Sequence, residues 1–383
     1  MNSTTSASLA SSSSSSSPPV DLASRDHDHM RRALRLAARG RGRVSPNPMV
    51  GAVIIDAAGQ VVGEGYHHQI GGPHAEAHAL QEAGEHARGA TLYCTLEPCT
   101  VAGRTPPCAD AVISAGIRRL VCALADPDER VCGSGFQLLR EAGIDVDIGV
   151  GAGAGATLID AYLHHRRSGR ALMTLKLGQT LDGRIATRDG LSRWITGEAA
   201  RRHAHRWRSW VDGLMVGAGT VLADDPALTV RHVRGRDPRP IVIDGRLRCA
   251  LSAKVFRGRE PILVTAASTP LARRQQFIDG GVEVWDCPDE DGVIDLRHVA
   301  TRCGAAGMTQ VIVEGGRTLA AAALGDGAID DVMIYIAPRF LGGDAIAGIG
   351  DLKIETLDVT PRLAGVHSKR LGEDLLVTGK VVG

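Results

Sequence analysis

Three side chains that bind soft metals stand in an order that chemistry can use. His74 opens the tripeptide His74-Ala75-Glu76, Glu97-Pro98-Cys99 begins 23 residues further on, and Gly103-Arg104-Thr105-Pro106-Pro107-Cys108 completes the set. One imidazole and two thiolates fill three corners of a tetrahedral zinc, and no fourth ligand stands nearby in sequence, so the last corner is expected to carry water. Glu76 is too close to His74 in the chain to share the metal comfortably, and is placed to move protons between that water and a bound molecule. Singly, each piece is ordinary, since an HxE is commonly a helix-surface coincidence and cysteines in a reduced chain are commonly small buried groups. Their order favours a catalytic metal. Cys108 also follows a proline pair and opens the helical-looking run ADAVISAGI, whose positive end suits a thiolate.

The order histidine-x-glutamate, proline-cysteine, cysteine resembles the zinc-dependent nucleobase deaminases. Eight residues lie between Cys99 and Cys108, whereas cytidine and transfer-RNA deaminases generally resemble proline-Cys-x-x-Cys. The stretch LEPCTVAGRTPPC, with PNPMVGAVI at 46–54 and GEGYH at 63–67, closely resembles the deaminase half of the bifunctional riboflavin-biosynthesis deaminase/reductases. From Lys176 onward, KLGQTLDGRIA, WITG, GTVLADDPALTVR, VIDG, VEGGRTLA and YIAPRFLGG resemble the reductase half. The likeness covers nearly everything but a Ser-rich N-terminus.

That resemblance implies an N-terminal cytidine-deaminase-like α/β/α domain followed by a dihydrofolate-reductase-like α/β domain. It implies one zinc per chain on His74, Cys99 and Cys108, with Glu76 as the catalytic proton carrier, and NADPH as second cofactor. NADPH contacts are expected at Gly178, Trp194, Thr220, Asp224, Gly316, Arg317, Thr318, Leu319, Ala320, Ala321 and Ala322. Substrate contacts are expected at Lys176, Ser192, Arg208, Leu228, Arg231 and Glu314. The implied reactions are deamination of a diaminopyrimidinone ribosyl phosphate, then reduction of its ribosyl group to ribityl. Arg208 and Arg231 suit such a substrate because guanidinium forks match phosphate oxygens. Lys176 and Asp224 are candidates for polarising and protonating around the ribosyl carbon. One departure stands out: the family resembles proline-Cys-Ser-His-x-Gly after its first zinc cysteine, and this chain reads Cys99-Thr100-Val101-Ala102-Gly103. A contact near the substrate is therefore expected to be missing, with Arg104 still offering a cation for the phosphate.

These sites need two cores, and 383 residues suffice for two ordinary domains, expected at 25–168 and 169–383. Forty-four basic residues balance 43 acidic ones, which argues against binding long nucleic acid or an anionic membrane and for a small substrate. No apolar run reaches the roughly 18–20 residues that a span requires. Eight cysteines, only two of them at ligand spacing, read otherwise as free thiols of a reducing cytoplasm. Residues 1–24, with serines throughout 11–17 and no arginine, read as a disordered tail rather than a transit peptide. Self-association is left open.

Periodicity places a helix from His29 to about Arg39, strands at 49–56, 60–67, 90–95 and 119–126, and helices from His74 and from Cys108. Gly133-Ser134-Gly135 reads as a turn, because it lacks the third glycine and preceding strand of a nucleotide fingerprint. A helix at 136–142 and a strand at 144–150 follow. Residues 151–155 read as a flexible entry to a helix at 157–167, whose His164 and His165 are expected in solvent. The second half reads as a strand over 172–187, a helix at 198–210, strands at 213–226 and 240–245, and Gly315-Gly316 turning a short buried strand into a helix. His203 and His205 are expected to be structural. Free N–H groups at the glycine turn could seat a phosphate or simply close a turn. No Rossmann fingerprint appears. Competing readings are a deaminase/reductase of a related pyrimidine, a zinc-bearing pseudoenzyme with only the reductase half active, and, least favoured, a nucleic-acid editor.

Overall fold

The computed structural model describes residues 22–101, 106–290 and 292–383. The expected tail lies outside these residues except for its last three, which belong to the first turn of helix α1 (Leu22–Ala37). That helix starts well before His29 because Asp26 ties it to the sheet. The Asp26 carboxylate accepts the Tyr93 hydroxyl at 2.6 Å and two Arg119 nitrogens at 3.1 and 2.7 Å.

The first half is a five-stranded sheet of β1 (Gly51–Ile55), β2 (Val61–Tyr66), β3 (Thr91–Cys94), β4 (Arg119–Cys122) and β5 (Asp145–Ile148) in the order β2-β1-β3-β4-β5. β1 runs antiparallel to both its neighbours, while β3, β4 and β5 are parallel. Strands buried on both faces must be apolar almost throughout, and β1 is. On one face Ala52, Ile54, Leu92 and Leu120 pack against α2 (Ala75–Ala83), α3 (Cys108–Ser114) and α4 (Ser134–Glu141). On the other, Val53, Tyr93 and Val121 pack on α1. Helix α2 lies directly on the backbone of β2: a Cβ on Gly65 would come within 2.1 Å of the Ala75 carbonyl oxygen, and one on Gly63 within 2.2 Å of that of Ala79. Those glycines set the height of His74 and Glu76 above the sheet.

Two helices lead onward, α5 (Ala152–Leu158) and α6 (Asp160–Ser168). α5 corrects the expected flexible entry, because Gly151, at φ 76°, supports the turn that starts the helix, and small Gly155 lets it pack closely on Ala123 and Leu124.

The second half contains, in chain order, β6 (Leu172–Thr180), β7 (Arg184–Ala186), α7 (Glu198–Arg208), β8 (Gly213–Gly217), α8 (Ala218–Asp224), β9 (Arg239–Ile243), β10 (Ile262–Ala266), α9 (Leu271–Asp279) and β11 (Glu283–Cys287). Then come β12 (Asp289–Glu290), β13 (Val293–Ile294), α10 (Leu296–Ala305), β14 (Gln310–Glu314), α11 (Arg317–Gly325), β15 (Asp331–Ala337), β16 (Ile346–Ala347), β17 (Arg362–Leu371) and β18 (Asp374–Val382). Nine of these strands form one sheet in the order β11-β10-β9-β8-β14-β6-β15-β18-β17, parallel except for the β15-β18-β17 edge. Met173, Leu175 and Leu177 of β6 point to a core under α10 and α11. Residues of the opposite parity in neighbouring strands, Leu214, Ile312 and Tyr335 among them, point to a core under α7, α8 and α9.

Two strand expectations are corrected here. The 213–226 stretch breaks after Gly217, and Ala218 and Val221, one helical turn apart, are buried by α8. The 172–187 stretch breaks at Asp182-Gly183, where Asp182 accepts the Thr180 hydroxyl at 2.5 Å and Gly183 adopts φ 75°.

The two halves meet along α6 and the 41–49 segment. His165 Nε2 lies 3.1 Å from the Gly304 carbonyl oxygen, and His164 Nε2 lies 3.8 Å from Asp330, so these histidines face the second half and not solvent as expected. The Ser45 hydroxyl donates to Asp212 at 2.8 Å, and the Arg41 guanidinium covers the Trp210 ring at 4.7 Å.

Candidate active sites

Strand β3 ends just before Glu97, and the chain then leaves the sheet as Pro98-Cys99, while α2 and α3 start at His74 and Cys108. Three separate chain segments thus converge over one end of the sheet. His74 Nδ1 lies 3.2 Å from Cys108 Sγ and 3.6 Å from Cys99 Sγ, and all three ligand atoms fall within 4.8 Å of one another. A tetrahedral zinc with bonds of about 2.0–2.3 Å separates its ligand atoms by roughly 3.5–3.8 Å, so this spacing fits zinc. Among the described residues this is the one cluster of three or more such groups. The Cys108 thiol and the His74 ring both favour the Cys99 thiolate, which is lowered to about 4, and Cys108 is raised chiefly as the donor of that bond. A zinc held here would take both sulfurs as thiolates.

Glu76, in the first turn of α2, is 3 % exposed, and its Oε2 has no hydrogen-bond partner. Burial pushes its carboxyl upward from the usual glutamate value. An orphaned buried oxygen beside three metal-type donors is what an open coordination position requires.

Several neighbours were not singled out from sequence. His67 stands edge-on to the His74 ring at 5.4 Å, its Nδ1 3.0 Å from the Pro73 carbonyl oxygen and its Nε2 3.3 Å from Asn47 Nδ2. Both fall inside motifs read for likeness alone. Glu97 is 4 % exposed and accepts four backbone N–H groups, from Asp126 (3.1 Å), Gly133 (3.0 Å), Gly135 (2.9 Å) and Phe136 (3.4 Å). Only Gly133, at φ 83°, turns the chain as expected; Ser134 and Gly135 already belong to α4, which starts before the expected residue 136 and presents the N–H groups of Gly135 and Phe136 to Glu97. A cavity of about 420 Å³ opens beside His74, Glu76 and Cys99, with Val101 on its wall. Ala102 to Thr105, with Arg104, lie outside the described residues.

The second site lies where β6, β8 and β14 end. Lys176 and Glu314 are register partners across β6 and β14, with Lys176 Nζ 3.7 Å from Glu314 Oε2 and 5.7 Å from the Tyr335 ring centre. Arg208, from the last turn of α7, grips the same carboxylate through Nε at 2.8 Å and Nη2 at 2.5 Å, and its Nη1 reaches the Thr229 carbonyl oxygen at 3.3 Å. The expected phosphate fork of Arg208 is thus directed at Glu314. Arg231 stands beside it, its backbone N–H donated to His205 Nδ1 at 3.2 Å. Burial and then the charge of Arg208 push His205 down to about 3, so it stays a neutral acceptor and links α7 to the Arg231 loop. Leu228 in that loop holds φ 54°, a left-handed conformation that costs roughly 1–2 kcal/mol in a non-glycine residue. Such strain gathers at ligand sites.

Gly217 and Gly316 cap α8 and α11 at the ends of β8 and β14, with no side chain capping either helix. A Cβ on Gly316 would stand 3.7 Å from Thr220 Oγ1, and one on Gly178 3.5 Å from Thr196. Gly316, Thr220 and Gly178 line neighbouring strand ends, and the uncapped N-terminus of α11 at Arg317, Thr318 and Leu319 suits an anionic cofactor group, whereas Ala320 donates its N–H to the Gly316 carbonyl and, with Ala321 and Ala322, faces or adjoins the core. Trp194 is 58 % exposed, with the Arg201 guanidinium over its ring at 4.5 Å, and Asp224 closes α8 at its far end. Ser192 is half-buried in the loop before Trp194.

Both halves of the chain are similar to known proteins. The family described as the RibD C-terminal domain matches residues 171–377, and the cytidine and deoxycytidylate deaminase zinc-binding region matches residues 23–124. The riboflavin biosynthesis protein RibD of Escherichia coli is 40 % identical over 367 residues, covering 91 % of this chain and 98 % of its own. An Acinetobacter baumannii RibD structure superposes with a TM-score of 0.86 at 36 % identity, covering 94 % of this chain and 100 % of that one. A diaminohydroxyphosphoribosylaminopyrimidine deaminase/5-amino-6-(5-phosphoribosylamino)uracil reductase of Thermotoga maritima does so with a TM-score of 0.82 at 31 % identity, with the same coverage.

Proposed function

The chain belongs to the RibD family of riboflavin-biosynthesis proteins, and we propose on that footing how its own residues carry out the family's two reactions. It is a bifunctional enzyme that uses zinc to deaminate 2,5-diamino-6-(ribosylamino)pyrimidin-4-one 5'-phosphate hydrolytically and NADPH to reduce the ribosyl group to ribityl. The observation that carries the assignment is the convergence of His74, Cys99 and Cys108 beside the orphaned Oε2 of Glu76.

His74, Cys99 and Cys108 would hold the zinc, which when bound would supply the acidity that lets a water lose a proton near neutral pH. Glu76 takes one proton of the attacking water and delivers it to the ring nitrogen, then takes the second from the newly added hydroxyl and delivers it to the amine, which departs as ammonia while the carbonyl forms. Its burial keeps the proton within the site, and His67 and Asn47 brace the imidazole from behind.

In the second half, Gly178, Trp194, Thr220, Asp224 and the Gly316 turn would hold NADPH, which when bound would supply the two-electron reduction. Lys176 polarises the ribosyl carbon's oxygen, and Arg231 with Ser192 and Leu228 holds the phosphorylated sugar. Glu314 fixes the plane of the Arg208 guanidinium and the position of the Lys176 ammonium. Asp224, exposed at the far end of α8, is the weaker candidate for proton supply.

We place the joint between the two catalytic units at 168–169, and the protein in the cytoplasm as a reduced chain whose eight cysteines are all unpaired. No described helix is long and apolar enough to cross a membrane. The test is to incubate the zinc-loaded protein with the diaminopyrimidinone ribosyl phosphate and follow product masses, with and without NADPH and a zinc chelator. Amino-to-oxo exchange without NADPH, followed by gain of two hydrogens with it, supports the assignment. Reduction first, or no exchange with zinc present, rejects it.

A further inference from the structure

The deaminase cavity has a charged wall that the zinc chemistry does not use. Asp126 and Asp128 follow β4 and line the cavity together with Arg130, Tyr162 and Arg166. Tyr162 and Arg166 come from α6, one helical turn apart, so they share a face of that helix. The Tyr162 hydroxyl donates to both oxygens of Asp126 at 2.9 and 3.1 Å, and Asp126 is itself joined through its backbone N–H to Glu97, two residues before Cys99. The wall and the zinc loop are therefore one hydrogen-bonded unit.

The charges on that wall are unequally engaged. Arg130 clasps Asp128 with two bonds, at 2.9 and 2.7 Å, and this pairing holds the Asp128 carboxyl down at about 2, ionised and already neutralised. Arg166 stands further off, its Nε 3.6 Å from Asp128, and that Nε is buried with no hydrogen-bond partner. Its guanidinium lies over the Tyr162 ring at 5.2 Å. Glu97, Asp126 and Asp128 on this wall are each engaged, by four backbone N–H groups, by the Tyr162 hydroxyl and by Arg130, whereas the Arg166 Nε has no hydrogen bond; Arg130 and Arg166 are the only lysine or arginine side chains on the cavity's described wall. Arg130 is 67 % exposed and spent on its partner, whereas Arg166 is 26 % exposed and held in place by the aromatic ring beneath it. A planar fork pre-set in this way loses little entropy on meeting an anion and recognises two oxygens at once.

We propose that Arg166 is a specificity-determining residue of the deamination step and grips the phosphate ester at the far end of the pyrimidine substrate. This rests on the deaminase assignment made above. The helix that carries Arg166 is fixed from its other side by the reductase half: Asp160 meets Lys380 of β18 at 2.6 Å, Lys380 meets Asp331 at 3.3 Å, and His165 meets the Gly304 carbonyl. The reductase half is thus part of the scaffold that aims Arg166, which gives the fusion of the two units a physical consequence for the first reaction.

The test compares ammonia release by the full-length, zinc-loaded chain from the diaminopyrimidinone ribosyl phosphate and from its dephosphorylated counterpart, in wild type, Arg166→Ala, Arg166→Lys and Lys380→Ala. Wild type favours the phosphorylated compound. In Arg166→Ala the ratio of kcat/KM for the two compounds falls at least tenfold, mainly through KM for the phosphorylated one, and Arg166→Lys restores part of it. Lys380→Ala shifts the ratio the same way by less. Zinc content and NADPH oxidation of the same samples report folding. An unchanged ratio in Arg166→Ala, whether both rates fall or neither does, overturns the proposal. Failure of zinc-loaded wild type to release ammonia from either compound overturns the deaminase assignment itself, and the proposal with it.

Discussion

Arg208 and Glu314 clasp each other through two parallel bonds, and both side chains are almost out of water, at 12 % and 13 % exposure. Burial alone would raise the Glu314 carboxyl, but the charges of Arg208 and then Lys176 prevail and hold it well below the usual carboxylate range. Glu314→Gln leaves Arg208 buried without its counter-charge, which costs about 3–5 kcal/mol. Urea unfolding is expected to show that loss, together with a collapse of NADPH oxidation, while ammonia release by the folded fraction persists. Because the folded pKa is depressed, the Glu314 contribution is fully present above the ordinary glutamate value of about 4.3 and is lost as pH falls through the folded one. The stability gap between wild type and Glu314→Gln should then hold steady from neutrality down to about pH 5 and narrow below about pH 4. A gap that widens on acidification would contradict this.

Glu97 serves the zinc loop in a different way, as the acceptor for four backbone N–H groups that no helix or strand satisfies. Glu97→Gln keeps the shape but turns one acceptor into a donor that faces donors, at a cost of about 1–3 kcal/mol for a buried unsatisfied group. Lower stability and weaker zinc retention under a competing chelator are expected. Wild-type retention would show that the Cys99 loop does not depend on this carboxylate.

Gly65 controls the seat of α2. Gly65→Ala drives a methyl group into the Ala75 carbonyl, 2.1 Å away, between His74 and Glu76 in the chain. Displacing the helix is expected to cost about 1–3 kcal/mol and to lower deamination more than reduction, as measured by thermal unfolding and the two assays side by side. Equal loss in both reactions would argue against a local effect.

His74, Glu76, Cys99 and Cys108 were legible in the sequence because metal chemistry demands particular side chains, and the chain brings them in as helix starts and a strand end. The apolar runs of β3, β4, β6, β9 and β14 were legible as strands, whereas β10, β11 and β15 are absent from the strands expected from the sequence. What escaped was tertiary in origin. Glu97 gave no signal of its own because its partners are backbone N–H groups from 126–136, and Tyr162 and Arg166 reach the deaminase cavity only because α6 folds back against it. His164 and His165 carried polar side chains that suggested solvent, yet the second half supplies Asp330 and the Gly304 carbonyl to receive them. The stretch after Gly213 resembled a strand because its apolar residues are dense, and only the glycine that caps α8 marks the change of period.

The account stands most directly on Glu76 as the proton carrier beside a zinc that it does not bind. Zinc per chain and ammonia release are to be measured on the same preparations of wild type and Glu76→Gln. One zinc in each, with ammonia release lowered by about 10²–10⁴ in the variant, is the predicted result. Near-normal ammonia release from zinc-loaded Glu76→Gln, or loss of the zinc along with the carboxylate, would contradict it.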